Sequence, residues 1–354
     1  MDVKKENLNK LYKLDAVRGF AAVYVVFHHL FASGIKVLNV DFSLLFRFGQ
    51  EAVILFFVLS GFVIYYSYNN QNNISLSLFF KKRFLRIYVP VILVFVANYG
   101  LLCYNEGSFV DFSIKELIGN LFMLQDLIDK RPNVLVAPFL GNIPLWSLSY
   151  EWYFYFIFFF VHKKLNNSSI TVYGIGIAAA VFYSILPNFI FRELMYFSIW
   201  WVGVDFAKLY LRGEKINFLN VRSMLFAIFA ICLVLFFTII NKGALGDVYK
   251  EGGIGEYPWI EFRHFLFTFL LIIIIVLWKK IKWFGFDFLV KPFMYVAPIS
   301  FGIYISHWFL VYTATYFSFI ENTNVRLIAY MLVCVLFSYL IEIRIFPMVK
   351  KRLL

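Results

Sequence analysis

Ionisable side chains in the first apolar segment are of types that bind anions or move protons. Arg18 carries a guanidinium group, and His28 and His29 carry imidazoles that titrate near neutral pH. Arg18 and His29 are eleven residues apart, which on a helix is about 1,100° of rotation and roughly 16 Å of rise. They share one helix face at different depths, which suits a cavity for one long ligand. The alternative is that Arg18 pairs with Asp15 as an interfacial anchor and that the histidines are structural.

Two further arginines, Arg83 and Arg86, lie one helical turn apart just before the third apolar segment. Two guanidinium groups on one side of a helix suit a phosphate or pyrophosphate. Cytoplasmic loops of membrane proteins are also rich in Lys and Arg, and that rule by itself accounts for the pair. On the residues alone, the second explanation is favoured.

Glu151 lies inside the fourth apolar segment, one turn after Ser147. A lone carboxylate roughly 10 Å into hydrocarbon must be protonated, paired or solvated, so it indicates function. Glu151 and His29 both fall in the outer half of the predicted membrane, and we expect that they can meet. Asp205 is interpreted as a local pair with Lys208.

A second polar stripe occupies one face of the ninth apolar segment. It consists of Ser300, Tyr304 and His307, at positions i, i+4 and i+7. A structural histidine and a ligand contact are equally reasonable there. Ser60 and Gly61, in an aromatic run of the second segment, are interpreted as a site of close helix packing.

The composition indicates that membrane helices position these side chains. Of 354 residues, 62% are hydrophobic and 15% charged, against about 45–50% and about 25% in ordinary globular chains. These values exclude a disordered chain, an ordinary soluble enzyme and a disulfide-built module. The three cysteines show neither metal-ligand nor disulfide spacing, and we expect no metal site.

Ten apolar segments reach the length of about 17–25 residues that crosses a bilayer. They are roughly 14–33, 50–68, 87–104, 144–161, 170–187, 192–208, 223–240, 262–278, 295–317 and 327–346. The sequence therefore predicts an all-α polytopic membrane protein with about ten transmembrane helices, forming a single domain over 1–354 with spans in roughly 14–346. The first segment is interpreted as a retained span, not a cleaved signal peptide.

The net charge of +12 follows the predicted topology. Most of the 33 Lys and Arg residues fall in alternate loops, and most acidic residues fall in the others. The positive-inside rule then places both termini in the cytoplasm. The basic excess is a topology signal, and we expect no nucleic acid partner.

Five motifs, in this order along the chain, resemble those of the bacterial membrane acyltransferase 3 family. They are LDAVRGFAA at 14–22 followed by His29, FFVLSGF at 56–62, Arg83-x-x-Arg86, LWSL at 145–148 followed by Glu151 and Tyr155, and ISFGIY at 299–304 followed by His307. The resemblance covers essentially the whole chain. The family separates the arginine and histidine of its first span by ten residues, which selects His29 over His28.

The last span departs from the family pattern. The family often has a glutamate followed two residues later by a proline, whereas Pro347 is displaced from Glu342 here. We therefore assign Glu342 no role and interpret it as a local pair with Arg344. We expect the stand-alone form of the family, without the soluble hydrolase-like domain that is fused to some members.

The resemblance implies transfer of an acyl group, usually acetyl, from a cytoplasmic acyl-CoA to a carbohydrate hydroxyl. In this interpretation Arg18, Arg83 and Arg86 bind acyl-CoA. His29 acts as general base or transient acyl carrier, and Glu151 orients it or stabilises its imidazolium. The remaining candidates line the acceptor pocket or are structural: Ser147, Ser300, Tyr304 and His307.

The resemblance also implies partners and a location. Acetyl-CoA or another acyl-CoA is expected as co-substrate, with no permanently bound cofactor. The expected acceptor is a carbohydrate or a polyprenyl-linked saccharide in the bacterial cytoplasmic (inner) membrane, in contact with membrane lipid, and a homo-oligomer is left open. A secondary transporter or flippase for a lipid-linked saccharide is the alternative. The broken helices and paired intramembrane acids typical of transporters are not evident.

Overall fold

The computed structural model describes residues 2–32, 34, 36–37, 40–70, 75–250 and 252–354. Within these ranges the regular secondary structure is almost entirely helical, which confirms the predicted all-α class. The α-helices are α1 Asp2–Phe31, α2 Gly49–Asn69, α3 Leu76–Glu106, α4 Ile114–Leu121, α5 Trp146–Lys164, α6 Ser169–Ile185, α7 Phe189–Leu211, α8 Arg222–Asn241, α9 Trp259–Lys280, α10 Phe286–Leu289, α11 Ser300–His307, α12 Thr323–Tyr339 and α13 Phe346–Leu353. Two short strands, β1 Lys36–Val37 and β2 Val40–Asp41, pair antiparallel.

The helices make this a polytopic membrane protein. Each of the ten predicted apolar segments contains helix. Among the described residues, six helical stretches are long and apolar enough to cross a membrane: Tyr12–Phe31, Ser43–Asn69, Leu76–Glu106, Arg222–Asn241, Trp259–Lys280 and Thr323–Leu353. The count of ten spans and the cytoplasmic location of both termini stay predictions.

Helices α2 and α7 pack closely because each presents a glycine to the other's backbone. A Cβ atom on Gly61 would lie 2.0 Å from the carbonyl oxygen of Trp200, and one on Gly203 would lie 1.9 Å from that of Val58. No real side chain fits at these distances, so glycine is required on both sides. This contact confirms the close packing predicted around Gly61.

Two π-helical segments interrupt the regular helices near the end of the chain. Trp308–Tyr312 continues α11, and Leu340–Ile345 joins α12 to α13. A π segment changes the direction of the side chains that it carries and is frequent at functional sites. Both segments contribute side chains to the clusters described below.

Candidate active site

Three arginines from separate parts of the chain line one cavity of about 230 Å³. Arg18 comes from α1, and Arg83 and Arg86 come from the first turns of α3. Glu151 of α5 and Asp15 also line this cavity, which we call the arginine pocket. The fold thus gathers the three predicted acyl-CoA-binding residues around one space.

The arginines differ in how far the protein neutralises them. Arg18 pairs with Asp15 at 2.6 Å, and Arg86 pairs with Glu342. In the described part of the chain no carboxylate forms an ion pair with Arg83, whose guanidinium lies 5.5 Å from the ring centroid of Phe79. The buried Nε atoms of Arg18 and Arg83 also have no hydrogen-bond partner among the described residues. These donors fit an anionic ligand.

The contact between Arg86 and Glu342 corrects our interpretation of Glu342. We expected a local pair with Arg344, but the Arg344 guanidinium lies over the Tyr339 ring instead. Glu342 is 2% exposed and sits on the π-helical segment Leu340–Ile345. Because its partner is 256 residues away in sequence, spacing within the last span could not reveal the pair.

Glu151 lies in the arginine pocket, and its recorded contacts differ from the meeting with His29 that we expected. It accepts hydrogen bonds from Ser60 at 3.0 Å and from Tyr155. Glu151 therefore lies beside Arg18, eleven residues before His29 on α1, because position within an apolar segment neither fixes a residue's depth in the packed bundle nor says toward which neighbour its side chain points. A role for Ser60 in holding this carboxylate was missed for the same reason.

A second cavity, of about 370 Å³, lies at the other end of α1 and is called the histidine pocket. His28 and His29 line it together with Gln50 of α2 and Trp146 of α5. The loop between α4 and α5 supplies a further part of the wall through residues in the range 127–144, and α11 with its π-helical continuation adds Tyr304 and Trp308.

Aromatic rings surround the His29 imidazole. It stacks on His307 with ring centroids 5.3 Å apart, and it meets Trp308 edge-on at 4.9 Å and Tyr312 at 5.6 Å. Among the described residues no hydrogen bond holds a nitrogen of His29. His28 is different, because its Nδ1 atom lies 2.6 Å from the carbonyl oxygen of Phe46, to which it can donate. His28 therefore has a hydrogen-bond partner in the protein, whereas among the described residues His29 has only ring contacts.

The polar stripe of α11 is tied to the protein. The Tyr304 hydroxyl donates to the carbonyl oxygen of Pro144 at 2.8 Å, so Ser147 must be the donor in its 2.8 Å contact with Tyr304. His307 donates from Nδ1 to the Tyr304 carbonyl oxygen at 2.8 Å, and its Nε2 atom has no partner among the described residues. Ser300 donates to the carbonyl oxygen of Ala297, in the turn that precedes α11, and lines the arginine pocket.

The sequence analysis missed a wholly buried ion cluster beside the histidine pocket. Arg131 pairs with Asp126 at 2.7 Å and with Glu261 of α9 at 3.3 Å, and Arg192 of α7 pairs with Asp126 at 3.0 Å. Burial raises the pKa of the Asp126 carboxyl, but the guanidinium groups of Arg131 and Arg192 outweigh burial and hold that pKa below its ordinary value. The cluster holds the loop between α4 and α5, which lines the histidine pocket, against α7 and α9.

Two further predictions from the sequence concern Asp205 and metal binding. Asp205 and Lys208 pair at 2.9 Å, which confirms the local pair. Within the described ranges, no three His, Cys, Asp or Glu side chains lie close enough together to hold a metal ion.

Comparison with known proteins supports the motif resemblance. The acyltransferase MdmB of Streptomyces mycarofaciens is 31% identical to the chain over 186 residues, which is 49% of this chain and 45% of that protein. The match thus spans less than half the length of this curated relative. No solved structure matches the chain. The acyltransferase 3 family, described as an acyltransferase domain, matches residues 11–343. The chain therefore belongs to the acyltransferase 3 family.

Proposed function

We propose that this protein transfers an acyl group, acetyl in the first instance, from acyl-CoA to a hydroxyl of a cell-surface carbohydrate or its lipid-linked precursor, in the bacterial cytoplasmic (inner) membrane. One observation carries the proposal: Arg18 and His29 lie on one helix and open into two neighbouring cavities, one lined with arginines and one with histidines. Eleven residues of helix separate them, which is roughly 16 Å. Acyl-CoA has the matching shape, with phosphates and a thioester at opposite ends of a long arm.

The arginine pocket would bind the phosphates of the donor. Arg83 has no ion-pair partner among the described residues, and its Nε atom and that of Arg18 are buried donors without acceptors. Buried donors of this kind are costly unless a ligand supplies the acceptor. Guanidinium groups suit phosphate because their planar fork matches its oxygens.

His29 would act on the acceptor in the histidine pocket. As a general base it takes the proton of the acceptor hydroxyl while that oxygen attacks the thioester carbonyl, and the CoA thiolate leaves. As a transient carrier it accepts the acyl group itself and passes it to the hydroxyl. Both routes need a ring nitrogen that is free to accept, and among the described residues no hydrogen bond holds a nitrogen of His29, whose ring packs against other aromatic rings.

The test supplies labelled acetyl-CoA to inverted membrane vesicles and measures label in the carbohydrate and lipid-linked saccharide fractions. His29→Ala is expected to lower incorporation on the order of a thousandfold with normal expression, since a general base contributes factors of that size. His28→Ala is the matched control. Because His28 bonds to a backbone carbonyl and packs against Gly49, its loss is expected to lower thermal stability more than incorporation.

Two outcomes would contradict the proposal. Equal incorporation by wild type and His29→Ala would remove His29 from the chemistry. No labelled product from wild type, together with movement of a lipid-linked saccharide across the membrane, would favour a flippase instead.

A further inference from the structure

The arginine pocket and the histidine pocket are separate cavities that meet at a shared wall. Of the described residues, Val53 of α2 and Tyr304 of α11 are the ones that line both. Both side chains are otherwise buried, at 4% and 5% exposure. If phosphates bind on one side and His29 acts on the other, the donor arm must cross between these two residues, which we call the partition.

The two sides of the partition are held differently. Two hydrogen bonds hold the Tyr304 hydroxyl. It donates to the carbonyl oxygen of Pro144, which lines the histidine pocket, and accepts from Ser147, which lines the arginine pocket. Its ring also packs against that of Phe56 at 5.6 Å. Val53 has no polar anchor, but it is a stiff, β-branched side chain on a helix. Hydrogen bonds therefore fix the position of Tyr304, whereas the space that Val53 occupies in the partition depends only on the volume of its side chain.

We propose that Val53 and Tyr304 form the constriction through which the acyl-thioester arm reaches His29, so that side-chain size at position 53 controls transfer without controlling donor binding. This proposal rests on the proposed function. It makes both residues positioning residues, because they act on where the thioester lies and supply no proton or electron pair. The roles of Ser147 and Tyr304 follow from it: they keep the passage in shape.

The experiment compares binding with transfer in Val53→Phe. Binding is measured with coenzyme A by calorimetry on purified protein, and transfer is measured with labelled acetyl-CoA in inverted vesicles. The larger side chain is expected to lower transfer at saturating acetyl-CoA at least about tenfold, because displacement of the thioester by an ångström has effects of that size or larger. The Kd of coenzyme A is expected to stay within about twofold, since the arginines are untouched.

Val96→Phe is the matched control, because it makes the same substitution at an exposed valine of α3 away from both pockets. It is expected to leave both quantities unchanged. Tyr304→Phe keeps the ring but removes both hydroxyl contacts, and a smaller fall in transfer with unchanged coenzyme A binding is expected. Equal transfer by Val53→Phe and wild type would overturn the proposal, as would equal losses of binding and transfer.

A larger side chain at a buried site can prevent folding, so in a second variant the side chain at position 53 is enlarged only after the protein has folded. Val53→Cys is purified and then modified with a bulky methanethiosulfonate, which forms a mixed disulfide and releases sulfinate. Transfer is expected to fall on modification and to recover with reductant, while wild type, with its own Cys103, Cys232 and Cys334, reports the background. Undiminished transfer by the Val53→Cys variant after complete labelling at position 53 would refute the constriction. A wild type that transfers nothing would instead refute the proposed function.

Discussion

The arginine pocket and the buried ion cluster contain the same side chain in opposite surroundings. In the ion cluster, Arg131 and Arg192 are fully buried and paired with carboxylates. In the arginine pocket, Arg18 is partly exposed and Arg83 has no carboxylate partner among the described residues. Burial of a charge inside a membrane protein is thus no guide to function by itself. What distinguishes the pocket is that its arginines line an open cavity and that one of them, Arg83, has no carboxylate partner among the described residues.

The two regions also act on different parts of the molecule. The ion cluster joins the loop containing Asp126 to α7 and α9, and this loop walls the histidine pocket. The arginine pocket contains a partly exposed ion pair within α1, between Arg18 and Asp15, and a pair between Arg86 and the buried carboxylate of Glu342. Substitutions in the cluster should therefore change folding, and substitutions in the pocket should change donor binding.

The largest effect is expected from Arg131→Ala. It leaves Asp126 and Glu261 buried without their shared cation, and breaking a buried pair in this way costs about 3–5 kcal/mol. Thermal unfolding of the purified protein in detergent should show a large fall in stability, and expression should drop. Lys130→Ala is the neighbouring control. Its 3.8 Å contact with Glu256 is exposed, so the expected loss is below about 1 kcal/mol.

An unchanged unfolding temperature for Arg131→Ala would contradict the structural role of the cluster. Weakened coenzyme A binding in a stable Arg131→Ala protein would show that the ion cluster also contributes to donor binding, which we assign to the arginine pocket alone.

Arg83→Ala and Arg86→Ala should separate binding from stability within one pocket. Each removes a guanidinium group and is expected to weaken coenzyme A binding about ten- to a hundredfold, as loss of charged hydrogen bonds does. Only Arg86→Ala leaves a buried carboxylate, Glu342, without its cation, so only this variant should also lose about 1–3 kcal/mol of stability. Calorimetry and thermal unfolding measure the two effects on the same preparations.

The double variant Arg86→Ala with Glu342→Gln is the control for this pair. Removing the unpaired charge should restore stability and leave binding weak. Equal stability of the two single variants would show that Glu342 does not depend on Arg86.

The smallest effect is expected from Asp15→Asn. Its pair with Arg18 is partly exposed, at 50% and 37%, so stability should change by less than about 1 kcal/mol. Loss of a carboxylate that competes for Arg18 should tighten coenzyme A binding about two- to threefold at low salt, and added salt should reduce the gain. Weaker binding in Asp15→Asn would mean that the pair positions Arg18 for the ligand.

Much of the fold and part of the site could be predicted from the sequence. Apolar runs of bilayer length predict helices because the membrane leaves no other way to satisfy a single segment's backbone. Helical spacing predicted that Arg83 and Arg86 lie on one side of a helix, since residues three apart share a helix face, and both line the arginine pocket. The buried ion cluster could not be predicted, because Arg131 of a loop meets Arg192 of α7 and Glu261 of α9 only when these parts of the chain pack together.

Local pattern therefore determined which segments are helices, which residues share a face, and which family the motifs resemble. Tertiary structure decided the partners: Glu342 with Arg86, Glu151 with Ser60 and Tyr155, and the meeting of two cavities at Val53. The physical reason is the distance along the chain over which each kind of interaction acts. Helix geometry fixes relations over a few residues, whereas an ion pair across 256 residues depends on the rotation and depth of every helix between its partners.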